Sequence, residues 1–119
     1  MKHYRLGAME TRFADLIWEN EPISSGDLVK LCEKEFSWKK STTYTMLRRL
    51  VERQIFQNEN GLVSSILSKQ EFQAKQSEQF VEETFDGSLP KFLTAFASGK
   101  KLKEKEINEL IELIKNFER

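Results

Sequence analysis

The order in which helical and strand-like periodicities follow one another over the first 70 residues leaves this chain few architectures. Met9, Phe13, Leu16 and Ile17 recur at the three-and-four spacing of a helix face, so roughly residues 8–20 form a first helix. Asn20-Glu21-Pro22 stops it, because proline has no N–H to donate and crowds the preceding turn. Ser24 then has the position of an N-cap, with Asp27 three residues on as its capping-box partner, and Leu28, Leu31 and Cys32 mark the inner face of a second helix. A third begins near Ser41-Thr42, either of which can cap, and runs to about Arg53. On a helical wheel Leu47, Leu50, Val51 and Tyr44 share one side with Thr43 at its edge; Thr42, Thr45 and Arg49 lie opposite, flanked by Ser41 and Met46. The period then shortens. Ile55-Phe56 and residues 62–67 read as two short strands, and Asn60-Gly61 between them suits a tight hairpin turn. Three helices followed by a hairpin is the order of a winged helix-turn-helix, so the fold class is mostly α with a small β-hairpin.

Charge distribution points to what the third helix does. From Lys39 to Arg53 five basic residues (Lys39, Lys40, Arg48, Arg49, Arg53) face one acid, Glu52, in a chain of formal net charge zero. Residues 1–70 carry eleven Lys plus Arg and nine acids, whereas residues 71–119 carry eight and ten. The two parts are expected to do different work: 1–70 as a winged-helix DNA-binding domain, 71–119 as a helical dimerisation region. With its N-terminal part in a major groove, the third helix would bring Ser41, Thr42, Thr45 and Arg49 to base edges, where hydroxyls pair with several bases and arginine favours guanine. Lys39, Lys40, Arg48 and Arg53 would lie nearer phosphates and set affinity and its salt dependence. A charge run alone is more often a solvated helix face; the surrounding helix-helix-helix-hairpin order tips the reading to DNA.

Composition narrows the alternatives. Hydrophobic content of 39%, charged content of 32% and two prolines describe a soluble helical protein, and no stretch is apolar enough to cross a bilayer or serve as a secretion signal, so the chain is expected in the cytoplasm. The single cysteine, Cys32, reads as a small buried hydrophobe. His3 has no Cys or second His nearby, is expected to be solvated, and assembles no metal site; no cofactor is implied. Trp38 reads as core at the turn between the second and third helices rather than as a base-stacking residue. With no glycine-rich phosphate loop, nucleophile elbow or metal-spaced histidines, an enzyme is the weakest alternative.

Beyond Ser68 the helical period returns. Phe72, Phe80, Val81 and Phe85 fall in one long helix ended by Asp86-Gly87; Leu89, Phe92, Leu93 and Phe96 in a short one ending at Ser98-Gly99; Leu102, Ile107, Leu110, Ile111, Ile114 and Phe117 in a last one. Six of the nine phenylalanines lie after residue 70, too many for about fifty residues to cover alone. Either the tail folds back on its own head or it packs against a second copy across a two-fold axis. The dimer is favoured, with Phe80, Phe85, Leu89, Phe92, Phe96, Ile107, Leu110 and Ile114 as its interface.

Trp38 through Arg53, with Ser41-Thr42, Thr45-Met46-Leu47 and Arg49-Leu50, resembles the recognition segment of the penicillinase-repressor family. The similarity extends to Met9-Glu10 and Ile17-Trp18 before it and to Phe85-Asp86-Gly87-Ser88-Leu89 after it, nearly the whole chain. The resemblance implies a homodimeric transcriptional repressor binding an inverted-repeat operator with TACA/TGTA-like half-sites, with a membrane sensor and a protease as possible partners in release. The family's cleavage point maps onto Ala95-Phe96, where members that are cut carry asparagine before the phenylalanine. The family's copper branch ends in paired Cys-x-Cys motifs, and this chain has no cysteine beyond Cys32, which excludes copper sensing by that route. The family also carries glycine where this chain has Gln54, a position of positive φ after the recognition helix, and basic residues at a wing tip that here carries Glu59. A shortened wing with that charge is expected to contribute less to DNA binding. The competing function is a winged-helix protein-interaction module without specific DNA binding.

Overall fold

The first apolar stripe becomes α1 (Ala8–Asn20), which holds Phe13, Ala14 and Ile17 wholly out of solvent. This computed structural model describes residues 4–117, so His3 lies outside the described residues. After Pro22 the chain pairs as a two-residue strand β1 (Ile23–Ser24) and turns into α2 (Ser25–Phe36). Ser24 Oγ accepts the Asp27 N–H at 3.0 Å, the cap read from the sequence. α2 ends on Ser37 in the left-handed region (φ 57°), and α3 (Lys40–Glu52) follows almost at once. β2 (Phe56–Glu59) and β3 (Leu62–Ser65) form the wing, joined by Asn60 and Gly61 at φ 53° and 84°. Positive φ at both turn residues is the geometry that matches strand twist, and it accounts for the Asn-Gly pair.

The sheet has three strands in the order β1-β3-β2, both pairings antiparallel, with Val63 opposite Ile23 on one side and Asn58 on the other. The hairpin was legible and β1 was not, since two residues offer no alternation to read.

The chain packs as two compact units, Met1–Gln79 and Phe80–Arg119, and α4 (Lys69–Phe85) contributes to each. In the first unit Phe13, Ile17, Leu28, Cys32, Leu47, Leu50, Ile55, Phe56, Val63 and Phe72 make one core. Fully burying a side chain of the Val, Leu, Ile or Phe type contributes about 1.5–3 kcal/mol, which is what holds three short helices and a minimal sheet together. Trp18 stacks its ring at a tilt on Phe56 (5.2 Å) and Phe72 (5.6 Å), while its indole N–H donates to the Leu67 carbonyl at 3.0 Å. Phe72, grouped with the tail rings on sequence, therefore belongs to this core: it sits in the first turn of α4, which returns beneath α1. A reciprocal capping box between Ser68 and Glu71 starts that helix, and the Ser68 backbone N–H, followed by its hydroxyl, holds the Glu71 carboxyl below its usual pKa. Trp38 also sits against the core, with its ring 5.4 Å from Phe13 and 4.8 Å from Phe36.

The second unit holds the end of α4, α5 (Leu89–Gly99) and α6 (Glu104–Phe117). Ser88 Oγ caps α5 by accepting the Lys91 N–H at 3.2 Å. Gly87, at φ 76°, turns the chain between α4 and α5; a Cβ there would stand 2.6 Å from Glu82 Oε2. Edge-to-face contacts join Phe80, Phe85 and Phe92 at 5.6–6.1 Å, and Phe96 stacks on Phe92. Neither α5 nor α6 contains a buried residue.

Candidate nucleic-acid interface

α3 is anchored by its inner face. Thr43, Leu47 and Leu50 are buried, and Tyr44, Met46 and Val51 are partly covered. With that face fixed, the 100° step forces Ser41, Thr42, Thr45, Arg48 and Arg49 outward, and all five are exposed, as are Lys39 and Lys40 at the helix start. The N-cap is Lys39, in extended geometry (φ −72°, ψ 156°) and without a side-chain cap, rather than Ser41 or Thr42. The helix starts earlier than its sequence suggests because the Lys39 carbonyl already accepts the Thr43 N–H at 3.1 Å. As a result the Ser41 and Thr42 hydroxyls are not committed to a cap and stand in the first turn of the outward face.

The other end of α3 is closed by a Schellman motif. Gln54 N–H donates to the Val51 carbonyl (2.9 Å) and Ile55 N–H to the Leu50 carbonyl (3.1 Å), with Gln54 at φ 62°. The left-handed position is thus kept although glutamine occupies it. Arg49 Nη1 rests 3.7 Å from the Met46 sulfur, which leaves the guanidinium on the surface.

Arg53 is differently placed from the other basic residues. Its guanidinium is half-buried, lies 3.5 Å from the Glu10 carboxylate and donates to the Arg5 carbonyl at 3.1 Å. Spacing along α3 could not show this, since Glu10 belongs to α1.

Beside the helix, Gly61 N–H donates to Asn58 Oδ1 (3.0 Å) and Ser25 N–H to the Gly61 carbonyl (2.7 Å), which holds the wing tip against the start of α2. Asn58, Glu59 and Asn60 are exposed at the tip, and no Lys or Arg lies between Arg53 and Lys69. Tyr44 donates its O–H to Ser25 Oγ at 3.1 Å. This contact was invisible in the sequence, where Tyr44 reads only as part of the apolar stripe. Cys32 is buried under α3; burial pushes its thiol pKa up, against a smaller opposite pull from the Thr43 hydroxyl. Among the described residues no group of three or more His, Cys, Asp or Glu is placed to hold a metal ion, and no helix is long and apolar enough to cross a membrane.

In the second unit, Phe80, Leu89, Phe96, Ile107 and Ile114 of the expected interface set are exposed, and Phe85, Phe92 and Leu110 are partly covered. Ile107, Ile111 and Ile114 follow one another at helical spacing along α6 with 43–52% of each exposed, a continuous apolar stripe. Ala95 sits within α5 beside Phe96 and is likewise exposed.

Comparison with known proteins gives this geometry a context. A family model described as Penicillinase repressor matches residues 6–116. The chain is 24% identical over 109 residues to a penicillinase repressor of Bacillus licheniformis, covering 88% of this chain and 85% of that protein. It is 22% identical over 120 residues to a penicillinase repressor of Staphylococcus aureus, covering 98% and 95%. It is 20% identical over 117 residues to the methicillin resistance regulatory protein MecI of Staphylococcus aureus, covering 95% of each.

Proposed function

The chain belongs to the penicillinase repressor family, and from that premise we propose that it is a cytoplasmic, sequence-specific repressor that binds an inverted-repeat operator as a homodimer, with α3 in the major groove. The observation that carries this reading is the outward face of α3: three hydroxyls and a guanidinium on a helix whose opposite side is locked into the core. Ser41, Thr42, Thr45 and Arg49 contact base edges in half-sites of the TACA/TGTA type, and Lys39, Lys40 and Arg48 contact phosphates. Arg53 is the weakest member of the phosphate set, because Glu10 already neutralises it. The first unit, which takes Phe72 and the start of α4 into its core and so extends past the residue-70 boundary expected from the sequence, is the reading head, and the second unit the dimerisation region.

The dimer is supported by the second unit's lack of any buried residue in α5 and α6, and by the Ile107-Ile111-Ile114 stripe, which needs a cover. Pairing also answers an affinity problem. One correct base contact discriminates by about 1–3 kcal/mol, too little for a single head to find one site in a genome, whereas two heads held at fixed spacing multiply their selectivity. Release from the operator by a sensor and a protease remains a family expectation, and Ala95 before Phe96 departs from the residue found where members are cut.

Footprinting on the DNA upstream of the protein's own gene tests the proposal. Two protected half-sites related by inversion are expected; protection without repeat symmetry overturns the paired reading, and no protection at all overturns the proposal in favour of a protein-interaction module.

A further inference from the structure

A short polar relay joins the outward-reading helix to the tip of the wing without passing through the core. The Tyr44 hydroxyl donates to Ser25 Oγ (3.1 Å), and the Ser25 N–H donates to the Gly61 carbonyl (2.7 Å) at the turn between β2 and β3. Tyr44 and Ser25 are both half-buried, so water competes less for these bonds than it would on an open surface. Gly61 is itself held through its N–H to Asn58 Oδ1, and its backbone stands at φ 84°, the positive-φ geometry that the turn uses.

Neither end of this relay needs it to fold. α3 is held by Thr43, Leu47 and Leu50, and the wing by its ladder to β1 and by Phe56 and Val63 in the core. What the hydroxyl adds is an angular constraint. The turn at Asn60-Gly61 lies just beyond the last ladder pairs of the sheet, Ser24 with Leu62 and Glu59 with Leu62, and the Tyr44–Ser25–Gly61 relay ties it to the turn of α3 that carries Thr45. Two surfaces that meet a duplex at a preset separation lose less freedom on docking and fit fewer wrong registers.

We propose that Tyr44 is a positioning residue for DNA reading, its hydroxyl setting the wing tip against the outward face of α3 through Ser25; the inference rests on the operator-binding function proposed above. Removing one such bond changes an equilibrium by roughly fivefold. The test compares wild type, Tyr44→Phe, Ser25→Ala and the double variant for affinity to a TACA/TGTA inverted-repeat duplex and to a scrambled duplex at one salt concentration. Each single variant is expected to lower the ratio of the two affinities about fivefold, almost wholly through the operator, and the double variant no further than either single one. A Tyr44→Phe ratio equal to wild type, a parallel fall on both duplexes, or losses that multiply in the double variant would each overturn the relay while leaving the operator reading intact. A wild-type protein that shows no preference between the duplexes defeats the operator reading itself.

Discussion

Replacing Gln54 by glycine should make the protein more stable, although it removes a side chain and adds no contact. Gln54 sits at φ 62° in the Schellman motif that ends α3, and its side chain is exposed. Both capping bonds, Gln54 N–H to Val51 at 2.9 Å and Ile55 N–H to Leu50 at 3.1 Å, use backbone atoms that glycine retains. A residue with a Cβ costs about 1–2 kcal/mol in the left-handed region. Against that relief, glycine enlarges the freedom of the unfolded chain by about 0.4–1 kcal/mol. The net gain is roughly 1 kcal/mol, equivalent to a rise of about 4–8 °C in Tm for a domain of this size. Gln54→Ala supplies the control: it deletes the same side chain beyond Cβ, keeps the strain, and should leave the midpoint within about 1 °C of wild type. Urea unfolding at constant m would report the same ordering. If glycine and alanine behave alike, or glycine lowers the midpoint, the left-handed strain assigned to this position is not there.

Four further outcomes follow from the same structure. Glu59→Gln should strengthen DNA binding about twofold at low salt and less at high salt, as expected for a carboxylate at an exposed wing tip beside a polyanion; unchanged affinity at low salt would show that the wing stands clear of the duplex. Ile111→Asp in the exposed α6 stripe should give a monomer by sedimentation and lose operator affinity by at least tenfold, and a dimer that survives the change would move the interface elsewhere. Cys32 should resist a thiol reagent at pH 8 until the protein is unfolded, since the group is buried with a raised pKa; rapid native-state labelling would contradict that placement. Because the folded-state pKa lies above the unfolded value, the same thiol contributes stability in full below pH 9 and loses it as the pH rises further, so the alkaline side of the stability profile should flatten in Cys32→Ala.

The three helices of the head were legible because each buries a stripe wide enough to impose its period: Phe13 and Ile17, Leu28 and Cys32, Leu47 and Leu50. The hairpin was legible because Asn60-Gly61 satisfies a backbone requirement that few dipeptides meet. What escaped the sequence depends on partners distant along the chain. β1 exists because Ile23 and Ser24 find Val63 and Leu62; Phe72 turns inward because Trp18 and Tyr4 receive it; Arg53 turns aside because Glu10 is near. The outward face of α3 follows from the wheel alone. Its connection to the wing does not, since nothing in the spacing of Tyr44 announces that its hydroxyl will meet Ser25.

The decisive measurement is the salt dependence of wild-type binding to the inverted-repeat duplex, set beside a duplex of equal length with scrambled half-sites. On the proposed dimer Lys39, Lys40 and Arg48 from two heads would make six phosphate contacts, so log K should fall against log salt with a slope of about −5 on the inverted repeat, where affinity should also exceed the scrambled duplex by at least a thousandfold. A shallow slope together with equal affinity for the two duplexes would mean that the charged, hydroxyl-lined face of α3 serves some partner other than DNA.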